Sequence, residues 1–423
     1  MPLGNTLQAL VTLAVIVIAS VFLGNLFAKF GQPRVLGPIT LGIVVGSAVA
    51  VSSEPARTTL ISSTSRFLLD VSGTAALLLL MFAVGLELRT YRTTEEASVG
   101  WRVVPSVALP IVVCTLAAWP FAMRLSASGD SERYGWLFAG IALGVTAVPV
   151  LVMIVKDLCI GSRPSARAAL GIAVNTDGCA WILVTVLIVL STNLSAVSIL
   201  NLVTGAGLLL IVIFGAPRVI RRNPRVNQGG GLVATMIVTA LTGAAATQFL
   251  GFHPAIGAVI AGFSFPAGTA NASSERTLNS IIDVLLPAFF VSAAMSVPVQ
   301  TLRDQVSWGG LGCLVVLTIA AILSKIAVGF MFGAMYRWPW RSAAELGVLL
   351  NCRGVTEIAI ASVGFGAGLI SPFAFAVLCA LALVTTTLTV PLYRAFTRSP
   401  QPPDGAHAVA EPSRGLMKGL TPL

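Results

Sequence analysis

The sequence predicts an all-α polytopic membrane protein of about thirteen transmembrane helices. It predicts inverted-topology repeats, with two discontinuous helices crossing at mid-membrane. Three observations predict this. The 423 residues are 56% hydrophobic and only 10% charged, with a mean hydropathy of +0.92, whereas soluble domains carry about 25% charged residues. Apolar runs long enough to cross a hydrocarbon core of roughly 30 Å follow one another along the chain. Two of those runs are interrupted near their middles. The alternating segments of about ten residues that mark a membrane β-barrel are not seen in the sequence.

The runs lie near 7–27, 35–51, 67–88, 101–123, 136–156, 166–190, 194–216, 231–249, 252–268, 280–297, 308–334, 343–363 and 368–394. The first has no basic leader or clear cleavage site and reads as a retained helix. The eighth and ninth are divided by almost no loop, at 249–251. Alternate connections are rich in basic residues: Lys29 and Arg34; Arg89, Arg92 and Arg102; Lys156, Arg163 and Arg167; Arg218, Arg221, Arg222 and Arg225; Arg276; Arg337 and Arg341; Arg394 and Arg398. The connections between them hold fewer. Basic loops favour the cytoplasmic side. The expected topology is multi-pass in the cell inner (cytoplasmic) membrane, amino terminus outside and carboxyl terminus in the cytoplasm. The net charge of +10 is spread over these short loops, so no nucleic acid partner is expected. Residues 400–423 read as a short, Pro-rich, disordered cytoplasmic tail, too small for a regulatory nucleotide-binding domain. Five of the six cysteines fall inside apolar runs and read as packing residues.

The fifth run carries Gly144, Thr146 and Pro149, and the proline removes an intrahelical hydrogen bond. The twelfth holds Asn351, Arg353, Gly354 and Glu357 at its centre, and Arg353 and Glu357 have the spacing of an i,i+4 pair. Five and twelve differ by seven, an odd number, so repeats related by that offset have opposite orientation. Paired broken helices in such repeats point to a transport site at mid-membrane. Lys325 lies inside the eleventh run, where it needs a partner or should lose its proton, unless it snorkels to an interface.

Asp177 stands in the sixth run, otherwise almost wholly apolar. An acid at the centre of a span costs about 2.5–3.5 kcal/mol even on lenient insertion scales. A carboxylate there can hold a proton or a cation but not both, and that competition is itself an exchange mechanism. Thr176, Asn175 and Thr146 are candidate neutral oxygen ligands, as hard cations prefer. Asp70, Glu87 and Glu345 read as acids nearer the interfaces, structural or gating. His253 reads as a local cap or packing group. No nucleophile constellation or cofactor loop is found, so neither an enzyme nor a cofactor is expected.

Several motifs together resemble the monovalent cation:proton antiporter-2 family in its sodium/hydrogen exchanger domain. They are G-Q-P-R-V-L-G at Gly31–Gly37, L-M-F-A-V-G-L-E-L at Leu80–Leu88, T-A-V-P-V-L at Thr146–Leu151, G-F-H-P-A-I-G-A-V-I-A-G at Gly251–Gly262, L-P-A-F-F at Leu286–Phe290 and N-C-R-G-V-T-E at Asn351–Glu357. The resemblance covers nearly residues 10–395. It implies a transmembrane domain over 1–399, with a dimerisation part and a core from about 101–190 and 308–394. It also implies elevator-like alternating access and a homodimer in membrane lipid.

The departures from the family pattern are specific. Thr176 stands where the family has an acid or asparagine before the ion-binding acid, which is retained as Asp177. Lys325 matches a lysine that pairs with that missing first acid. Met153 stands where the family often has arginine, and Pro38 where an acid is common. The expected function is proton-coupled antiport of Na+ or K+, with H+ and the cation competing for Asp177, and with one-for-one electroneutral exchange as a possible outcome of losing one acid. The alternatives are a subunit of a potassium efflux system, or an exporter or sensor of another solute on the same scaffold.

Overall fold

The computed structural model describes residues 3–52, 61–91, 103–127, 134–191, 196–222, 229–266, 269, 272–297 and 308–397. The expected tail, 400–423, lies outside the described residues. Every regular element is helical. α1 spans Leu3–Lys29, α2 Leu36–Val51 and α3 Ser63–Tyr91. α4, Val103–Ala118, runs through a 3-10 turn at Trp119–Phe121 into the short α5, Ala122–Leu125. Pro120 sits in that turn, where a missing N–H is tolerated. The fifth apolar run forms two half-helices, α6 Gly135–Gly144 and α7 Val148–Asp157. α8 is Pro164–Ser191; α9, Ala196–Leu210, passes through a π-turn at Ile211–Gly215 into α10, Ala216–Arg222. α11 is Gly229–Phe249, α12 Pro254–Ser264, α13 Ala272–Ala294 and α14 Trp308–Met335. The twelfth run forms α15, Trp340–Leu349, and α16, Val355–Gly366; α17 is Pro372–Thr397.

Each apolar window therefore contains helix. Among the described residues, nine helical stretches are long and apolar enough to cross a bilayer, 135–157 counted as one. Leu36–Val51 and Pro254–Ser264 are apolar but shorter. The split at 249–251 is a tight turn through Gly251, whose φ of 82° favours glycine. α11 and α12 then return against each other so closely that a Cβ on Gly257 would collide with the carbonyl of Gly243. Small residues permit such backbone approach in membrane bundles.

The helices pack as two sets. α1, α2, α3, α11, α12 and α13 pack mainly on one another, with α9 beside α11. α4, α6, α7, α8 and α14–α17 form the second set, in which α4 lies on α6 and α14, and α15 lies on α8, α14 and α17. Helix contact between the sets is limited, chiefly α13 with α16 and α3 with α7. Polar links join the sets at the end where α7 terminates. The Arg34 N–H donates to Asp157 Oδ2 (2.7 Å), Lys156 pairs with Asp283 (2.8 Å), and Arg394 Nη1 donates to the Gly31 carbonyl (2.7 Å).

Candidate ion site and the two helix breaks

The first break is the extended stretch 145–147. Pro149 does not sit at the rupture itself. It occupies the first turn of α7, where its absent N–H has no intrahelical acceptor to lose. The second break runs from Leu350 to Gly354. Gly354 has φ 151°, and a Cβ there would lie 2.7 Å from Val150 Cγ2, so backbone and space both require glycine. The breaks are tied to each other. Thr146 Oγ1 donates to the Leu350 carbonyl (2.8 Å), and the Ala147 N–H donates to the Cys352 carbonyl (3.0 Å).

The carbonyl end of α6 carries the negative pole of a half-helix dipole, and its last carbonyls lack intrahelical donors. Two buried basic side chains meet it. Lys325 Nζ donates to the Gly144 carbonyl (2.5 Å), and Arg353 Nη2 donates to the Leu143 carbonyl. Lys325 is 1% exposed and does not snorkel. Its expected family partner position, Thr176, bonds instead to the Ile172 carbonyl of its own helix (2.7 Å). Arg353 also forms the predicted i,i+4 pair with Glu357 at 3.0 Å, both groups buried. Thr386 Oγ1 donates to the Arg353 carbonyl (2.5 Å) and fixes the loop. Asn351 Oδ1, Arg353 Nε, Thr356 Oγ1 and Glu357 Oε2 are buried with no hydrogen-bond partner among the described residues. Orphan atoms of this kind cost about 1–3 kcal/mol each when dry, so they give the second break capacity for water or an ion.

Asp177 is 5% exposed, on α8. Its Oδ1 has no hydrogen-bond partner among the described residues. It lines a cavity of about 80 Å³ with Met81, Val148, Trp181, Ile256, Val259 and others, drawn from α3, α7, α8 and α12. The carboxylate thus lies where the two helix sets face each other, beside the start of α7. It faces no guanidinium or ammonium within ion-pair distance among the described residues, and so remains available to a proton or a cation.

Thr146, Asn351, Arg353, Gly354, Glu357 and Lys325 gather at the breaks as the sequence suggested. Asn175 does not join Asp177. It is exposed, and its amide donates to the Gly171 carbonyl (2.7 Å). Two residues correspond to about 200° around a helix, so Asn175 and Asp177 point to opposite sides. Glu345, 5% exposed, is held by Arg163 (3.1 Å) and Ser165 (3.0 Å). Asp70 is held by Arg66 (3.3 Å) and Ser292. The side chain of Glu87 lies outside the described residues. Two aromatic residues outside the predicted site belong to this region. Trp181, one turn on, lines the same cavity, and His253 stacks on it at 3.8 Å between ring centroids. His253 also caps α12, its Nδ1 accepting from the Ala255 N–H (3.3 Å).

The fold and site define a polytopic helical membrane protein with paired broken helices beside a buried carboxylate that has one oxygen unpaired among the described residues. The chain belongs to the family described as sodium/hydrogen exchanger, transmembrane, whose model matches residues 14–395. It is 29% identical over 405 residues to Cation/H(+) antiporter 17 of Arabidopsis thaliana, covering 92% of this chain and 48% of that protein. It is 27% identical to the Na(+)/H(+) antiporter NhaS4 of Synechocystis, covering 93% and 98%. It is 26% identical to the Na(+)/H(+)-K(+) antiporter GerN of Bacillus cereus, covering 90% and 94%. The chain spans about half the length of the plant relatives it matches. The solved sodium proton antiporter MjNhaP1 of Methanocaldococcus jannaschii superposes with a TM-score of 0.60 at 14% identity, over 93% of this chain and all of that one. That likeness speaks for the fold.

Proposed function

We propose that this chain is a proton-coupled antiporter for monovalent cations, Na+ or K+, working by alternating access. The observation that carries it is the Asp177 carboxylate, buried at the contact of two helix sets with Oδ1 unclaimed by any described group. Proton and cation compete for that group, and the cation enters as it leaves. The relatives, named as cation, sodium or sodium–potassium antiporters, support the same substrate class. Thr146 acts by pinning the breaks, whereas Asn175 and Thr176 are bonded to their own helix and support it.

The remaining features of the reading are of one piece. The set containing α4, α6–α8 and α14–α17 is the moving core, and the set containing α1–α3 and α11–α13 is the dimerisation part of a homodimer. Thirteen crossings, with the two broken helices related by inversion, put the amino terminus outside and the basic loops in the cytoplasm of an inner membrane. Lys325 donates to the Gly144 carbonyl and not to a second acid. Only one group then exchanges a proton for a cation, and exchange is electroneutral.

The test is cation-driven pH change in proteoliposomes, with Na+ and K+ in turn. Asp177→Asn abolishes it while the protein remains folded by size-exclusion chromatography. Normal exchange by that variant would overturn the reading. A rate that responds to imposed voltage would remove electroneutrality alone.

A further inference from the structure

We infer that Trp181 and His253 form an aromatic plug that closes the Asp177 cavity toward the membrane face where α8 ends and α12 begins, an inference that rests on Asp177 being the ion site. The two rings belong to different helix sets. Trp181 stands on α8, four residues after Asp177, and so on the same helix face. His253 stands at the N-cap of α12. Their centroids are 3.8 Å apart with 19° between planes, a close parallel stack. Trp181 is 4% exposed and forms part of the cavity wall; His253 is half-buried and stacks on its ring.

The His253 ring is held by a built turn and does not merely pack where space allows. Gly251 adopts a positive φ of 82°. The Phe252 N–H bonds back to the Thr247 carbonyl (2.8 Å), and the Gly257 N–H donates to Thr247 Oγ1 (3.2 Å). The imidazole Nδ1 accepts from Ala255 N–H, which fixes the ring plane over Trp181. At the opposite end, where α7 terminates, the sets are joined by ion pairs and backbone bonds, Arg34 to Asp157 and Lys156 to Asp283. The cavity is therefore bounded by an aromatic contact toward one face and polar links toward the other. A cation moving between Asp177 and the α12 side meets the stack first. Separation of the helix sets at that end must part the two rings, and they close again without leaving any charge unpaired.

Ile256 lines the cavity one turn beyond His253 and serves as a reporter position. Ile256→Cys is placed in a chain whose two exposed cysteines, Cys159 and Cys179, are changed to Ser. Labelling by a membrane-impermeant cationic methanethiosulfonate is followed in oriented proteoliposomes. His253→Asn keeps an acceptor for the Ala255 N–H but loses the stack, and is expected to label roughly two- to tenfold faster from the α12 side. Trp181→Ala is expected to do the same, and His253→Phe, which keeps a ring, to label at the parental rate. Equal labelling rates in the parent and His253→Asn overturn the plug, as does His253→Phe labelling as fast as His253→Asn. Labelling needs no exchange activity, so the plug and the ion site can fail separately: loss of the ion-site reading would come from Asp177→Asn exchanging normally.

Discussion

The Arg353–Glu357 pair is the most sharply testable part of the second break. Both groups are buried and 3.0 Å apart. At an effective dielectric of about 20 their attraction is about 5.5 kcal/mol, against which the desolvation of both charges must be set. Glu357→Gln keeps the shape but removes the counter-charge, leaving the guanidinium with neutral acceptors alone, the amide oxygen at 357 and the Leu143 carbonyl. Loss of one partner from a buried pair costs about 3–5 kcal/mol. Adding Arg353→Met removes the stranded charge as well. It also loses the bond to Leu143, worth about 1.5–3 kcal/mol. The double variant should therefore recover about 0–3.5 kcal/mol, centred near 2, relative to Glu357→Gln alone, an antagonistic coupling that a double-mutant cycle reads directly. The assay is the unfolding midpoint of the purified protein in one detergent for the parent, both single variants and the double. The expected order is parent, double, Glu357→Gln. A double variant less stable than Glu357→Gln would refute the claim that charge compensation holds this loop.

Three further outcomes are expected. Gly354→Ala should cost about 1–3 kcal/mol through its φ of 151°; pairing it with Val150→Ala relieves the 2.7 Å contact but not the backbone, so an unchanged midpoint in Gly354→Ala would show the conformation is not required. Thr146→Val strips the donor from the buried Leu350 carbonyl and should cost about 1–3 kcal/mol, with Thr146→Ser retaining most of the stability; equal midpoints for the two variants would count against the pin between the breaks. Asp157→Ala removes the acceptor of the Arg34 N–H and its distant Nε contact at 3.9 Å, so trypsin should cut after Arg34 faster than in the parent or in Asp157→Asn.

The helices were legible because apolar runs of spanning length admit little else in a bilayer, where every backbone group must bond within its own segment. The finer features varied with how local their cause is. Gly354 and the Arg353–Glu357 pair were readable, since glycine conformation and i,i+4 spacing act within a few residues. The first rupture lies at 145–147, just before the Pro149 that marks it in the sequence: a proline is comfortable in the first turn of α7, so the chain unwinds ahead of it. The partner of Lys325 was not readable at all, because a backbone carbonyl leaves no mark in a sequence. Gly144 accepts from that side chain only because folding brings α14 against the end of α6.

The ion site shows the same division within one helix. Asn175 and Thr176 carry the neutral oxygens that a hard cation prefers and sit next to Asp177 in the chain, but neighbours at one and two residues turn away from each other on a helix. The rule that excludes them also selects Trp181, four residues on, which does line the Asp177 cavity. Helical spacing is thus a better guide to this site than adjacency. His253 is different. Its cap on Ala255 is a local feature, whereas its stack on Trp181 joins residues far apart in sequence through the meeting of α8 with α12. The carboxylate itself can be found from the cost of burying it. The wall around it is contributed by four helices from both sets, so what may approach Asp177, and from which side, is decided by packing between the sets and is tested by the rings that bridge them.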